Sequence, residues 1–190
     1  MAENLKGKKI AILVADGFEQ VELTKPKQAL EEAGAETKIV SPADGKVQGV
    51  NHDKPADKVS VDVPLKSARA EDFDGLHLPG GVMNPDQLRT IPEAVQFVKH
   101  FFDSGKPVSA ICHGSWTMVE ADVVRGRTMT SWPSLKTDLK NAGAKWVDQE
   151  VVRDKNLVTS RKPDDIPAFN REIVSLFAEA SANTQRKKAA

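Results

Sequence analysis

The chain contains one cysteine, Cys112, and its neighbours are residue types that cysteine chemistry uses. It lies within residues 105–118, Gly-Lys-Pro-Val-Ser-Ala-Ile-Cys-His-Gly-Ser-Trp-Thr-Met, directly before His113. A thiolate is a strong nucleophile, and an adjacent histidine can exchange a proton with it. A free cysteine is also among the most buried residue types and often behaves as a small inert hydrophobe. The local pattern favours the reactive interpretation.

That pattern predicts a strand, a sharp turn and the start of a helix. Residues 108–111 are apolar and β-prone, and Ala110 and Gly114 on either side of Cys112 are small. This resembles the nucleophile elbow G-x-S-x-G, with cysteine in place of serine. At such a turn, free N–H groups and the positive end of the helix dipole stabilise a thiolate. We therefore predict a reactive thiol with a lowered pKa, for which His113 is the partner.

Further polar positions follow other predicted strands. Glu19 comes after the apolar run 9–15, at the end of a strand where open α/β sheets bind ligands, although a solvated first-turn carboxylate is the alternative. The diglycine of residues 78–81, Leu-Pro-Gly-Gly, would let backbone N–H groups approach a substrate, or would form only a tight turn. His52 stands in a polar loop and His77 in mid-strand. We expect a solvated side chain for His52 and core packing for His77.

Composition narrows the class of protein. The 190 residues are 39% apolar and 28% charged, as in an ordinary globular domain, and the 27 basic and 27 acidic side chains cancel. No global field then attracts nucleic acid or a membrane. The first residues lack a signal-peptide core, no run reaches the roughly 18 apolar residues of a membrane span, and a lone cysteine suits a reducing compartment. We expect a cytoplasmic protein, and without a dinucleotide, P-loop or paired-cysteine motif we expect no cofactor and no metal.

Apolar periodicity predicts alternating strands and helices. The predicted strands lie at 9–15, 37–41, 74–78, 108–111, 126–131 and twice within 147–160, with a peripheral hairpin at 45–63. Residues 16–23 turn out of the first strand into a predicted helix that reaches about residue 33, and further helical segments are predicted at 84–89, 92–103, from the elbow onward, 133–142 and 167–180. This alternation predicts a doubly wound α/β sheet. We expect one domain over 1–190, with a core of about 8–180 and a flexible basic tail at 183–190.

Four short motifs occur together and in order: Leu78-Pro-Gly-Gly81, Gly105-Lys-Pro, Ala110-Ile-Cys-His-Gly114 and Asn141-Ala-Gly143. With them the chain resembles the PfpI intracellular protease family of the ThiJ/PfpI superfamily, a class I glutamine amidotransferase-like group that also contains the parkinsonism-associated deglycase. The similarity covers residues 8 to about 177. It implies a flavodoxin-like three-layer α/β/α sandwich with a mainly parallel central sheet, assembled as a homodimer or a higher homo-oligomer.

The resemblance also implies roles for individual residues. Cys112 matches the family nucleophile and His113 its partner, while Glu19 matches the family acid near the sulfur. The backbone N–H groups of Gly81 and His113 match the oxyanion donors. Glu22, three residues beyond Glu19, is expected to matter less.

One position departs from the family pattern. In the PfpI type, a glutamate from a neighbouring subunit, shortly after the diglycine, orients the histidine. Here Asp86 is the matching acid, one residue later and one methylene shorter. A helix-start aspartate that binds N-terminal N–H groups is the alternative. If the shared triad forms, the active site requires at least a dimer.

Two functions of different classes remain open from the sequence. The resemblance implies a cysteine-dependent hydrolase or lyase that acts on reactive carbonyl (glyoxal-type) adducts or peptides, with a stress-protective role. Small adducts are favoured because one chain shows neither a peptide groove nor a group that orients His113. The alternative is a redox-sensing stress-response protein in which Cys112 is reversibly oxidised without turnover. Both need an accessible thiolate of low pKa, so the sequence does not separate them.

Overall fold

The computed structural model describes residues 4–189, with side chains described up to residue 180. These residues contain twelve strands, four of which have only two residues. In chain order they are β1 (Lys9–Leu13), β2 (Phe18–Glu19), β3 (Glu36–Ser41), β4 (Lys46–Asn51), β5 (Lys54–Ser60), β6 (Val63–Pro64), β7 (Gly75–Leu78), β8 (Val108–Ile111), β9 (Thr128–Met129), β10 (Lys145–Trp146), β11 (Val151–Asp154) and β12 (Leu157–Ser160).

Seven of these strands form a central sheet in the order β11-β12-β8-β7-β1-β3-β6. Every neighbouring pair is parallel except β11 and β12. The inner strands β1, β7 and β8 are almost wholly buried, because their apolar residues face helices on both sides of the sheet. The predicted mainly parallel α/β sheet is confirmed.

Helices cover both faces of the sheet. They are α1 (Gln20–Glu32), α2 (Met83–Leu88), α3 (Pro92–Asp103), α4 (Ser115–Glu120), α5 (Lys136–Asn141) and α6 (Ile166–Ala189). One apolar cluster joins α3, α4 and α5 to the sheet through residues such as Phe101 and Met118. A second joins α1 and α6 to the opposite face through Leu30 and Phe169. The molecule is therefore the predicted three-layer sandwich.

Two smaller sheets lie beside the central one. Strands β4 and β5 form the predicted peripheral hairpin, and β2 pairs parallel to β4 to complete a three-stranded sheet. Strand β9 pairs only with β10, so the strand predicted at 126–131 is shorter than expected and lies outside the central sheet. The last helix runs to Ala189 rather than to residue 180. The basic side chains of the predicted tail lie outside the described residues, and both that tail and the single domain stay predictions.

The order of the strands brings the ends of three strands together at one edge of the sheet. From β1 the chain builds β3 and β6 on one side, then returns to the other side of β1 with β7 and β8. The carboxyl ends of β1, β7 and β8 are therefore adjacent, and open α/β sheets bind ligands at such a switch point. In residues 4–189, none of the helices combines the length and apolar character that a membrane crossing demands.

Candidate active site

Cys112 occupies the predicted elbow. Strand β8 ends at Ile111, and residues 112–114 form a 3-10 turn that leads into α4. The backbone of Cys112 has φ 60°, a left-handed conformation that costs a non-glycine residue about 1–3 kcal/mol. The side chain is only 7% exposed. The turn holds the thiol at the switch point of the sheet at the expense of local strain, as nucleophile elbows do.

The diglycine after β7 forms the wall opposite the elbow. A Cβ at Gly80 would stand 2.6 Å from the Cβ of Cys112, so no larger residue fits there. Gly81 has φ 76°, and the backbone N–H groups of Gly81 and His113 face the sulfur. These are the two donors expected from the sequence, and the structure brings them together at Cys112.

The carboxyl group against the sulfur is that of Glu22, not Glu19. Glu22 is fully buried in the first turn of α1, faces the Cys112 thiol, and accepts a hydrogen bond on Oε2 from the N–H of Gly80 at 2.9 Å. The expectation that Glu19 lies near the sulfur is therefore wrong, because Glu22 takes that position. Glu22 is the site residue that sequence reasoning passed over.

Glu19 points toward the hairpin instead. It ends β2, which pairs with β4, and its Oε2 accepts a hydrogen bond from the backbone N–H of His52 at 2.9 Å. Helix α1 starts at Gln20, so of the two glutamates only Glu22 lies on its inward face. The His52 side chain is 86% exposed, which confirms its expected solvation, with Nδ1 3.7 Å from Glu19.

Burial governs the protonation of Glu22. Removal from water and, to a smaller extent, the nearby carboxylate of Glu19 raise its pKa from 4.5 to about 8. The thiol of Cys112 and the N–H groups of Gly80 and Gly81 lower the pKa, but by less. Its Oε1 is buried without a hydrogen-bond partner among the described residues, so this oxygen can carry the proton. Glu22 is therefore mainly a neutral acid at neutral pH.

The thiol also responds to burial. Desolvation raises the pKa of Cys112 well above its ordinary value, and the Glu22 carboxylate, when ionised, raises it further. The N–H groups of His113 and Gly81 lower the pKa, as expected for a helix start, but they do not outweigh burial. The predicted lowered pKa is therefore wrong for this arrangement. Attack by sulfur requires a base that takes its proton.

His113 is the base within reach. Its Nδ1 lies 3.2 Å from the sulfur of Cys112, and Ser134 Oγ lies 3.4 Å from its Nε2. The imidazole stacks on Trp132 at 5.9 Å and meets Trp116 edge to face at 5.3 Å. Burial lowers the pKa of His113, so the ring is neutral at neutral pH and can accept a proton. The predicted pairing of Cys112 with His113 is present.

Asp86 is exposed on α2, and among the described side chains no carboxylate forms an ion pair with His113. Whether Asp86 of a second subunit orients that histidine stays a prediction. Within the described residues, no three His, Cys, Asp or Glu side chains are grouped so as to hold a metal ion.

Buried Asn84 supports the site and was not singled out from the sequence. Its Oδ1 accepts a hydrogen bond from the N–H of Ala15 at 2.7 Å, and its Nδ2 donates to the carbonyls of Pro79 and Gly80 at 2.9 and 3.0 Å. Asn84 thus ties the end of β1 to the diglycine. Its only local signal is a helix start before Pro85, which says nothing of burial.

His77 is buried as predicted. Its ring lies between β7 and α1, with Nδ1 3.0 Å from Ser109 Oγ and Nε2 2.8 Å from the carbonyl oxygen of Glu22. The expected core packing is confirmed. The hydrogen bond to the backbone of a site residue was not foreseen.

Comparison with known proteins places this geometry among related chains. A model of the DJ-1/PfpI family matches residues 8–176. "Protein/nucleic acid deglycase 2" of Escherichia coli K12 is 46% identical over 171 residues, which cover 90% of this chain and 98% of that protein. "Putative cysteine protease YraA" of Bacillus subtilis is 44% identical over 170 residues, which also cover 90% and 98%.

A solved structure of similar fold is a two-domain protein of Anabaena variabilis with DJ-1/ThiJ/PfpI-like and ferritin-like domains. It superposes with a TM-score of 0.83 at 36% identity over 88% of this chain. The match covers 47% of that protein, so the chain spans about half its length. The fold agreement therefore concerns one part of the larger protein.

Proposed function

Because the chain belongs to the DJ-1/PfpI family, we propose that it is a cysteine-dependent hydrolase or lyase of reactive carbonyl compounds, foremost glyoxal-type adducts, with a stress-protective role. The observation that carries the proposal is the grouping around one sulfur. His113 Nδ1 lies 3.2 Å from it, the neutral Glu22 acid lies against it, and two backbone N–H groups face it. Nucleophile, base, acid and oxyanion donors are the parts that carbonyl chemistry needs.

The first step follows from the protonation states. Cys112 Sγ bonds to the carbonyl carbon while its proton passes to Nδ1 of His113, and the C=O π pair moves to oxygen. The developing oxyanion accepts hydrogen bonds from the N–H groups of Gly81 and His113. A neutral Glu22 adds no second negative charge beside that oxygen and has a proton to donate. Histidine therefore generates the nucleophile at the moment of attack.

Small adducts are the preferred substrates, and peptides are the second. The E. coli relative is named a protein/nucleic acid deglycase and the B. subtilis relative a cysteine protease, so names alone support both. A peptidase needs a histidine that is firmly oriented to protonate a leaving amine. Among the described residues, the hydrogen-bond partner of His113 Nε2 is Ser134 Oγ at 3.4 Å. That contact is long, which favours substrates with easier leaving groups.

The redox-sensing alternative has less support. Oxidation to sulfenic acid proceeds through the thiolate and through access of peroxide to sulfur. Cys112 is 7% exposed and burial raises its pKa, so a resting thiolate is disfavoured. Turnover with a base that acts during attack fits these features better.

We further propose that the active protein is at least a homodimer in the cytoplasm. The support is the exposed position of Asp86 on α2 and the lack of a carboxylate partner for His113 within the described chain. A lone free cysteine also fits a reducing compartment.

A substrate panel tests the proposed function. Wild type and Cys112→Ser are assayed with methylglyoxal, a glyoxal–thiol adduct, a fluorogenic peptide and hydrogen peroxide. We expect turnover of the first two by the wild type alone. Reaction with peroxide alone, or equal turnover by Cys112→Ser, would contradict the proposal.

A further inference from the structure

The first turn of α1 contains an irregularity created by its own sequence. In a regular helix, the carbonyl of residue 22 accepts a hydrogen bond from the N–H of residue 26. Residue 26 is Pro26, which lies inside α1 and has no N–H. The carbonyl of Glu22 therefore needs a donor from outside the helix, since an unpaired buried carbonyl is costly.

His77 supplies that donor. Its Nε2 is 2.8 Å from the Glu22 carbonyl oxygen, and because a carbonyl only accepts, Nε2 carries the hydrogen. Its Nδ1 is 3.0 Å from Ser109 Oγ, whose hydroxyl can donate to it. Strand pairing places Ser109 directly beside His77 on β8. The imidazole is thus held neutral in a single tautomer, consistent with a burial that lowers its pKa to about 4.

The backbone and the carboxyl group of Glu22 are therefore both held by β7 and the residues that directly follow it. The backbone carbonyl is bound by His77 within β7, and the carboxyl Oε2 by the N–H of Gly80 just after β7. We propose that His77 is a positioning residue: its Nε2–H replaces the N–H that Pro26 lacks and fixes the first turn of α1 so that the Glu22 carboxyl meets Cys112. This inference rests on the proposed role of Glu22 and Cys112.

Two amide variants form the matched test. Glutamine can place its Nε2 amide hydrogens where Nε2 of His77 stands, whereas the Nδ2 amide of asparagine is one methylene too short. The probe is iodoacetamide, which reports on Cys112 alone because the chain has one cysteine. We expect His77→Asn to speed alkylation at pH 7 by about tenfold, because contact with Glu22 raises the pKa of Cys112 and displacement of Glu22 removes that effect. His77→Gln should stay within about twofold of wild type, since it keeps the donor.

Pro26→Ala separates positioning from packing. It restores an N–H at residue 26, so the Glu22 carbonyl no longer depends on His77. In that background His77→Asn should alter alkylation by less than about twofold, a coupling that a double-mutant cycle measures. An equal change in the alkylation rate with and without Pro26→Ala would overturn the inference, because it would mean that His77 acts only by filling the core. If His77→Asn does not fold, His77→Leu in the same two backgrounds decides the question by the same criterion.

Glu22→Met provides the reference, because it removes the acid and fills its space. Faster alkylation of Glu22→Met together with an unchanged rate in His77→Asn would overturn the inference alone. An unchanged rate in Glu22→Met would overturn the proposed role of Glu22, and the inference with it. Faster alkylation of both variants, with rescue by His77→Gln and by Pro26→Ala, is the result we expect.

Discussion

The start of α1 presents two carboxyl groups, three residues apart, to two different regions of the molecule. On the elbow side, Glu22 is fully buried against Cys112 and its pKa is raised to about 8. On the hairpin side, Glu19 accepts a hydrogen bond from the His52 backbone. The same side chain is thus an acid in one place and a structural link in the other. Environment, rather than residue type, assigns the chemistry.

Removal of the sulfur that Glu22 faces should have the largest effect. Cys112→Ala should abolish turnover, because no other thiol exists in the chain, while the fold survives with a loss of about 1 kcal/mol in unfolding free energy. Steady-state assays with methylglyoxal and thermal unfolding measure both quantities. If Cys112→Ala retained activity within a few-fold of wild type, Cys112 would not be the nucleophile, and the comparison of the two carboxyl groups around it would fail.

The two carboxyls can then be compared directly. Glu22→Gln should lower kcat by about a hundredfold or more, because the amide fills the same space but cannot supply the proton of an acid. Glu19→Gln is the matched control and should cost only a few-fold, since its partner is the hairpin backbone. Equal losses in the two variants would erase the distinction drawn between the two regions.

Stability against pH sharpens the same distinction. Folded Glu22 keeps its proton up to about pH 8, whereas the unfolded carboxyl releases it near 4.5. Its contribution is therefore complete below pH 4.5 and is lost as pH rises to about 8. Relative to Glu22→Gln, the wild type should lose a few kcal/mol of unfolding free energy over that range. Urea unfolding of both proteins at several pH values measures the difference, and a constant difference would contradict the burial argument.

A third carboxyl group, that of Asp86, tests whether a second subunit contributes to the site. Asp86→Ala should lower kcat by roughly tenfold while Cys112 alkylation persists, if a second subunit orients His113 through this residue. Mixed Cys112→Ala and Asp86→Ala chains should regain some activity, since one site of the heterodimer is intact. An active monomer, or subunit exchange without recovery of activity, would show that Asp86 of a second subunit does not complete the site.

The sequence predicted features whose causes are local. The elbow at Cys112, the diglycine and most element bounds follow from small residues, apolar periodicity and turn chemistry. The choice of Glu19 over Glu22 failed because the start of α1 depends on the pairing of β2 with β4, some thirty residues away. The predicted direction of the pKa shift of Cys112 was wrong for a similar reason. Burial of Cys112 is produced by the whole packed sheet, while its helix-start N–H groups are visible in the sequence.

The position of β8 in the sheet has a consequence for folding. The site joins residues 22, 80 and 112, which lie on neighbouring elements but are widely separated along the chain. Such nonlocal contacts form late, after the entropy of closing long loops has been overcome. During synthesis, Cys112 emerges after β1 and β7 and remains an ordinary exposed thiol until β8 docks beside β7. The nascent chain therefore carries no assembled site around Cys112, and the reactivity of that thiol in the packed site becomes a late marker of correct folding.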